Sequence, residues 1–175
     1  MSSILSSISG GEAAEILRRL CASDAQLRAR IEAEAEKVLR EIDVDEVADG
    51  VCCDLEMIDV EELWQRSGPT RYGYTEPVEM AVEMLEEALR PHEDRIAEYR
   101  KIGMLAPSMQ YCMGVLKGIY RFEHESKTEF KDWAVDIPGE CFGGILAEWQ
   151  RTCTREDDAK EMKAFVAHEC PDWAE

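Results

Sequence analysis

Ser108-Met-Gln-Tyr-Cys-Met-Gly-Val-Leu-Lys-Gly-Ile-Tyr-Arg-Phe-Glu-His-Glu125 is the most apolar helical stretch of the sequence. Met109, Cys112, Met113, Leu116, Ile119, Tyr120 and Phe122 recur at the intervals of a helix. They cover more than one side of it, so this helix is expected at the centre of a helical body. Gly114 and Gly118 stand four apart and share one face. Two glycines inside a helix cost about 2 kcal/mol relative to alanine. Close approach of another helix is the simplest feature that offsets that cost. The membrane use of this spacing needs an apolar segment of about 20 residues, which the sequence lacks.

Outward from this stretch, one helical pattern follows another. Ala13, Ile16, Leu17 and Leu20 form one apolar stripe; Leu27, Ile31, Ala35, Val38 and Ile42 form the next, opened by a capping box at Ser23. Ile42-Asp-Val-Asp-Glu-Val is echoed by Ile58-Asp-Val-Glu-Glu-Leu, with Asp43 and Asp59 as predicted caps. The first copy is expected to bury Val44, Val47, Val51, Leu55 and Ile58; the second turns Leu63 and Trp64 inward. Thr75 is expected to cap a helix with Pro77 in its first turn and Val78, Ala81, Val82, Leu85 and Leu89 on its buried face. Pro91 should end or kink it near Leu89, and a shorter helix then spans 92–102. Ser126-Lys-Thr-Glu129 reads as a capping box before Phe130 and Trp133. Pro138 opens a helix expected to bury Cys141, Phe142, Ile145, Leu146 and Trp149, and Thr154 caps the last one. No stretch alternates with period two, so no strand is expected. The expected fold is all-α, an irregular bundle or short HEAT/TPR-like array of about seven to nine helices. Residues 1–10 read as a flexible segment and 11–175 as a single domain.

The net charge is −18 over 175 residues. Divided at Ser67, both halves carry −9, which reads as uniform acidity. Such a charge repels phosphate backbones and anionic membranes, so neither nucleic acid nor a membrane is an expected partner. Solubility, or a basic protein partner, suits it better. The seven cysteines lie mostly on helix faces, where a free thiol behaves as a small hydrophobe. With no signal peptide pattern, the expected localisation is the cytoplasm.

Catalytic patterns are missing. There is no Cys-x-x-Cys, no His-Glu-x-x-His, and no Glu-x-x-His on any helix, so no metal or other cofactor is expected. Gly-x-Ser-x-Gly is absent, and Gly139 and Gly143-Gly144 match no phosphate loop. Two constellations remain. Arg71, Tyr72 and Tyr74 lie in the irregular segment 67–75, where tyrosine and arginine could form a recognition patch or simply close a connector. Arg121 and His124 flank Phe122 near the end of the central helix, as a second candidate patch or as solvated charges beside a core residue.

Four segments together, Asp43-Val-Asp-Glu-Val, Asp59-Val-Glu-Glu-Leu-Trp, Gly73-Tyr-Thr-Glu-Pro and Gly118-Ile-Tyr-Arg-Phe-Glu, resemble a helical domain of prokaryotic proteins associated with SWIM-type zinc fingers. The resemblance runs from about Leu17 to Trp149. It implies a helical interaction module, with no established activity. The finger itself requires Cys-x-Cys followed by Cys-x-His, and neither occurs here, so its zinc and its contacts do not carry over.

The leading expectation is a non-catalytic acidic interaction module whose partner is a protein, basic or finger-bearing. Two others stand beside it. One is a small-molecule or enzymatic domain with a pocket near 67–75, lined by Arg71, Tyr72, Tyr74 and His124. The other is a self-assembling homodimer that buries exposed Met and Trp faces.

Overall fold

The structure, a computed structural model, describes residues 4–70 and 73–174. The fold is all-α, with eight helices and one small hairpin among the described residues. Two compact units divide the chain, Met1–Glu41 and Ile42–Glu175, where the sequence pattern suggested one domain over 11–175. The division also changes the reading of charge. The first unit carries six basic and seven acidic residues, the second 14 and 31. Acidity is therefore not uniform: a split at Ser67 hides a nearly neutral segment inside an acidic half.

The first unit is a helical hairpin. A 3-10 turn at Ile4–Ser7 precedes α1 (Gly10–Ser23) and α2 (Ala25–Arg40). Within the segment expected to be flexible, Ser9 caps α1: its Oγ accepts the Glu12 N–H, and the Glu12 carboxylate accepts the Ser9 N–H at 2.9 Å. Asp24, not Ser23, opens α2. Its carboxylate accepts from the N–H groups of Gln26 and Leu27 at 2.9 and 3.0 Å, while the Ser23 hydroxyl donates back to the Leu20 carbonyl.

The second unit begins with α3 (Val44–Glu56) and α4 (Val60–Arg66), and the expected caps form. Asp43 accepts from the Asp45 and Glu46 N–H groups, and Asp59 accepts from Glu61. Carboxylates here also suit the positive end of the helix dipole. Val51, Leu55 and Leu63 are fully buried, and Val44, Val47 and Ile58 pack against the core. Trp64 does not turn inward: it is half exposed, its ring edge-on to Trp133 at 4.7 Å.

Segment 67–75 corrects the expectation of no strands. β1 (Gly68–Thr70) pairs antiparallel with β2 (Gly73–Thr75), Pro69 opposite Tyr74. Three-residue strands are too short to show a period of two. Gly68 and Gly73 take φ of 95° and 143°, conformations that side-chain-bearing residues rarely adopt.

α5 (Pro77–Lys101) then runs unbroken through Pro91. Its cap is Glu76, whose N–H meets the Glu79 carboxylate at 3.4 Å, and not Thr75. Pro91 removes the bond to the Glu87 carbonyl, at a cost of about 3 kcal/mol. The helix persists because both sides of the proline are anchored: Met84, Leu85 and Leu89 before it, and Ile96 and Tyr99 after it, are all buried. Arg66 adds a fork onto Glu87 at 2.8 and 3.0 Å, tying α4 to α5. Val78, expected inside, is exposed.

α6 (Leu105–Glu125) is the centre of the unit, packed against α3, α5, α7 (Ile137–Thr152) and α8 (Glu156–Glu169). One helix with four neighbours makes a bundle; in an array each repeat meets only the next. The most extensive pairing is α3 with α6, and the two glycines permit it. A β-carbon on Gly114 would lie 2.6 Å from Val47 Cβ and 2.9 Å from the Val44 carbonyl. On Gly118 it would lie 2.6 Å from Val51 Cβ and 2.8 Å from the Ala48 carbonyl. Lys117 reinforces the seam with an ammonium between Asp45 at 2.7 Å and Glu169 at 2.5 Å.

Beyond α6, Thr128 rather than Ser126 caps a 3-10 turn at Glu129–Asp132 that buries Phe130, and Ser126 closes α6. Arg155 occupies the cap position of α8 in place of Thr154. The chain returns through a 3-10 turn at Pro171–Trp173, whose indole packs on Phe142 at 5.0 Å and Tyr120 at 5.3 Å.

Candidate functional site

Of the five residues singled out in the sequence, Arg71 and Tyr72 lie outside the described residues. Tyr74 sits on β2 and is 63% exposed, so a contact role for this one tyrosine fits its position. Arg121 and His124 belong elsewhere. The Arg121 guanidinium donates to Asp49 on α3 at 2.5 Å and lies 3.5 Å from Glu125. His124 donates from Nδ1 to the Tyr120 carbonyl at 2.8 Å, stacks on the Tyr120 ring, and places Nε2 3.3 Å from Asp172. One residue clamps α6 to α3, and the other clamps it to the C-terminal turn. Phe122 between them is fully buried. The second constellation is thus engaged in holding the bundle together.

A more open surface lies between α5 and α7, which sequence reasoning missed. Between the two helices lies a groove formed by two adjoining cavities of about 310 and 300 Å³, which share Glu93, Gly144 and Ile145. Leu89, Ile96, Cys112, Ile145 and Trp149 make its apolar lining. Glu86, Glu93 and Asp94 on α5 and Glu140 and Glu148 on α7 contribute five carboxylates, against two cations, Arg90 and Arg100. Nothing lies within 4 Å of the β-carbon positions of Gly143 and Gly144, so the α7 wall is open there. The signal was present: Glu86 and Glu93 are two turns apart on α5, the same interval as the core residues Leu89 and Ile96 beside them. Acidic residues keeping step with the core mark a boundary where wet and dry faces meet.

The electrostatics of the groove follow from its shape. Glu93 keeps a face to solvent, yet the protein around it removes enough water to hold its carboxyl above the usual carboxylate range. Glu86 and Asp94 push in the same direction, and Arg90 opposes them weakly. The Cys141 thiol is pushed up to about 11 by burial and by Glu86, Glu93 and Glu140. Cys112 is pushed up to about 12 by burial. Both thiols stay protonated at neutral pH, so neither is a ready nucleophile. Among the described residues no group of three or more His, Cys, Asp or Glu could hold a metal ion, and no helix is long and apolar enough to cross a membrane. What the groove can do is accept an apolar side chain flanked by positive charge.

The shift at Glu93 makes a testable prediction. An acid whose folded pKa lies above its unfolded value destabilises the fold as it ionises, so the penalty is absent below the ordinary carboxylate range and grows as pH rises through the folded pKa. Glu93→Gln should therefore be more stable than the wild type at pH 7, with the difference vanishing near pH 4. Urea unfolding at both pH values measures it.

Comparison with protein-family models, with curated proteins and with solved structures finds no match to this chain.

Proposed function

We propose that this chain is a non-catalytic helical interaction module, and that the α5–α7 groove receives a basic, apolar segment of a protein partner. The observation that carries the reading is the position of Glu93: a carboxylate held above its usual range, beside Glu86 and Asp94, over an apolar lining. Among the described residues Glu86, Glu93 and Glu140 have no ion pair of their own. An arriving lysine or arginine would relieve a repulsion that the free protein carries, while apolar side chains covered the exposed lining. The resemblance to the helical domain of finger-associated proteins adds a finger-bearing protein as one carrier of such a segment. The rival reading, a small-molecule pocket lined by Arg71, Tyr72, Tyr74 and His124, has less behind it, since Tyr74 is exposed and His124 is engaged by Tyr120 and Asp172.

Fluorescence anisotropy with a labelled amphipathic Lys/Leu helical peptide, and with its Glu/Leu counterpart, tests the reading. The basic peptide should bind and the acidic one should not. Glu93→Lys with Glu140→Lys should weaken binding at least about tenfold, or roughly 1.4 kcal/mol. Glu98→Lys with Glu161→Lys makes the same charge change outside the groove and should have a much smaller effect. Equal weakening by both pairs would mean only diffuse attraction to an acidic surface, and the reading would fall.

A further inference from the structure

The α1–α2 hairpin presents a problem that its own residues do not solve. Helices of 14 and 16 residues are marginal in water unless an apolar face is covered. The two pack on each other, yet no residue of either is buried. Ile16, Leu17 and Leu20 on α1 are each more than 40% exposed, and Val38 on α2 is 69% exposed. Leu17, Leu27, Ile31, Ala35 and Val38 line an open, largely apolar depression of about 540 Å³.

Charge selects what can cover this face. Four of the unit's six cations are matched within their own helix: Arg18 and Arg19 by Glu15, Lys37 by Glu34, and Arg40 by Glu36. With six basic against seven acidic residues, the hairpin offers no net field to attract a strongly basic or acidic partner. The same balance lets two identical hairpins meet with little repulsion, which the acidic second unit does not allow. An apolar face without net charge can meet its own copy across a two-fold axis, as an isologous pairing requires.

We infer that the α1–α2 hairpin is a dimerisation element, covered by the same hairpin of a second copy of this chain. The interface is carried by leucine, isoleucine and valine of the hairpin and uses none of the residues that line the groove of the second unit. Each dimer then presents two grooves, and a partner with two basic segments gains avidity.

Sedimentation velocity with light scattering on the full chain, at about 5 and 100 µM, tests the inference. The wild type should approach twice the chain mass of 19.9 kDa at the higher concentration. Leu27→Glu with Ile31→Glu should raise the dimer dissociation constant by at least about 100-fold, because a two-fold axis introduces every charge twice. Ile31→Leu should remain dimeric. Circular dichroism should show the second unit's cooperative unfolding retained in the charged variant, separating lost assembly from lost folding. A wild type that stays monomeric at 100 µM, or a charged variant that dimerises as well as the wild type, would overturn the inference.

Discussion

Gly118→Ala should lower the stability of the second unit by about 2–3 kcal/mol, and Gly114→Ala should do nearly the same. Alanine is the better helix former by about 1 kcal/mol, so a loss would have to come from the packing. The added methyl at position 118 meets the Ala48 carbonyl at 2.8 Å as well as Val51. A side chain can rotate away, but a backbone oxygen inside α3 moves only with its helix. The seam must open along its length, which also strains the Lys117 bridge to Asp45 and Glu169. In thermal melts each substitution should lower the midpoint by roughly 10 °C for a body of this size. Gly144→Ala supplies the contrast. Nothing lies within 4 Å of its β-carbon position, so the propensity gain should appear undiminished as a rise of up to about 1 kcal/mol. A stabilising Gly118→Ala would show that α3 does not approach α6 as closely as described.

Phe122→Ala should be the most damaging single truncation, at about 3–5 kcal/mol. The ring is fully buried on the central helix, among the largest side chains with no exposure. Its neighbours in sequence should behave differently. Arg121→Ala removes an ion pair with the largely exposed Asp49 and should cost under about 1 kcal/mol. Chemical denaturation of the two variants measures the gap directly. If Arg121→Ala proved as costly as Phe122→Ala, the clamp onto α3 would matter far more than its exposure suggests.

Much of the architecture was legible because it depends on local rules. Period 3.6 in 108–125 placed α6 at the centre, and the four-residue glycine spacing implied a close neighbour without naming α3. Asp43 and Asp59 capped as expected, since a cap needs only the next three residues. Errors arose where tertiary packing decided. Pro91 is tolerated because core residues on both sides hold α5 straight through it, and no local rule reports that. Several caps shifted by one or two residues among adjacent candidates, as at Ser23 and Asp24. The hairpin at 68–75 was too short to leave a periodic signature. The groove was hidden for another reason: its acidic wall reads as an ordinary wet face until α7 is placed across from it.

The α3–α6 seam also bears on how the chain is made. Its contacts join Val47 to Gly114 and Val51 to Gly118, across about 70 residues of intervening chain. During synthesis α3 emerges long before its partner, with Val47 and Val51 in search of cover. Neither α4 nor the first half of α5 supplies the two glycines against which those residues settle. The seam cannot form until α6 has left the ribosome, so the second unit acquires its final packing late in translation. Until then its apolar ridge stays without the cover that the finished fold provides.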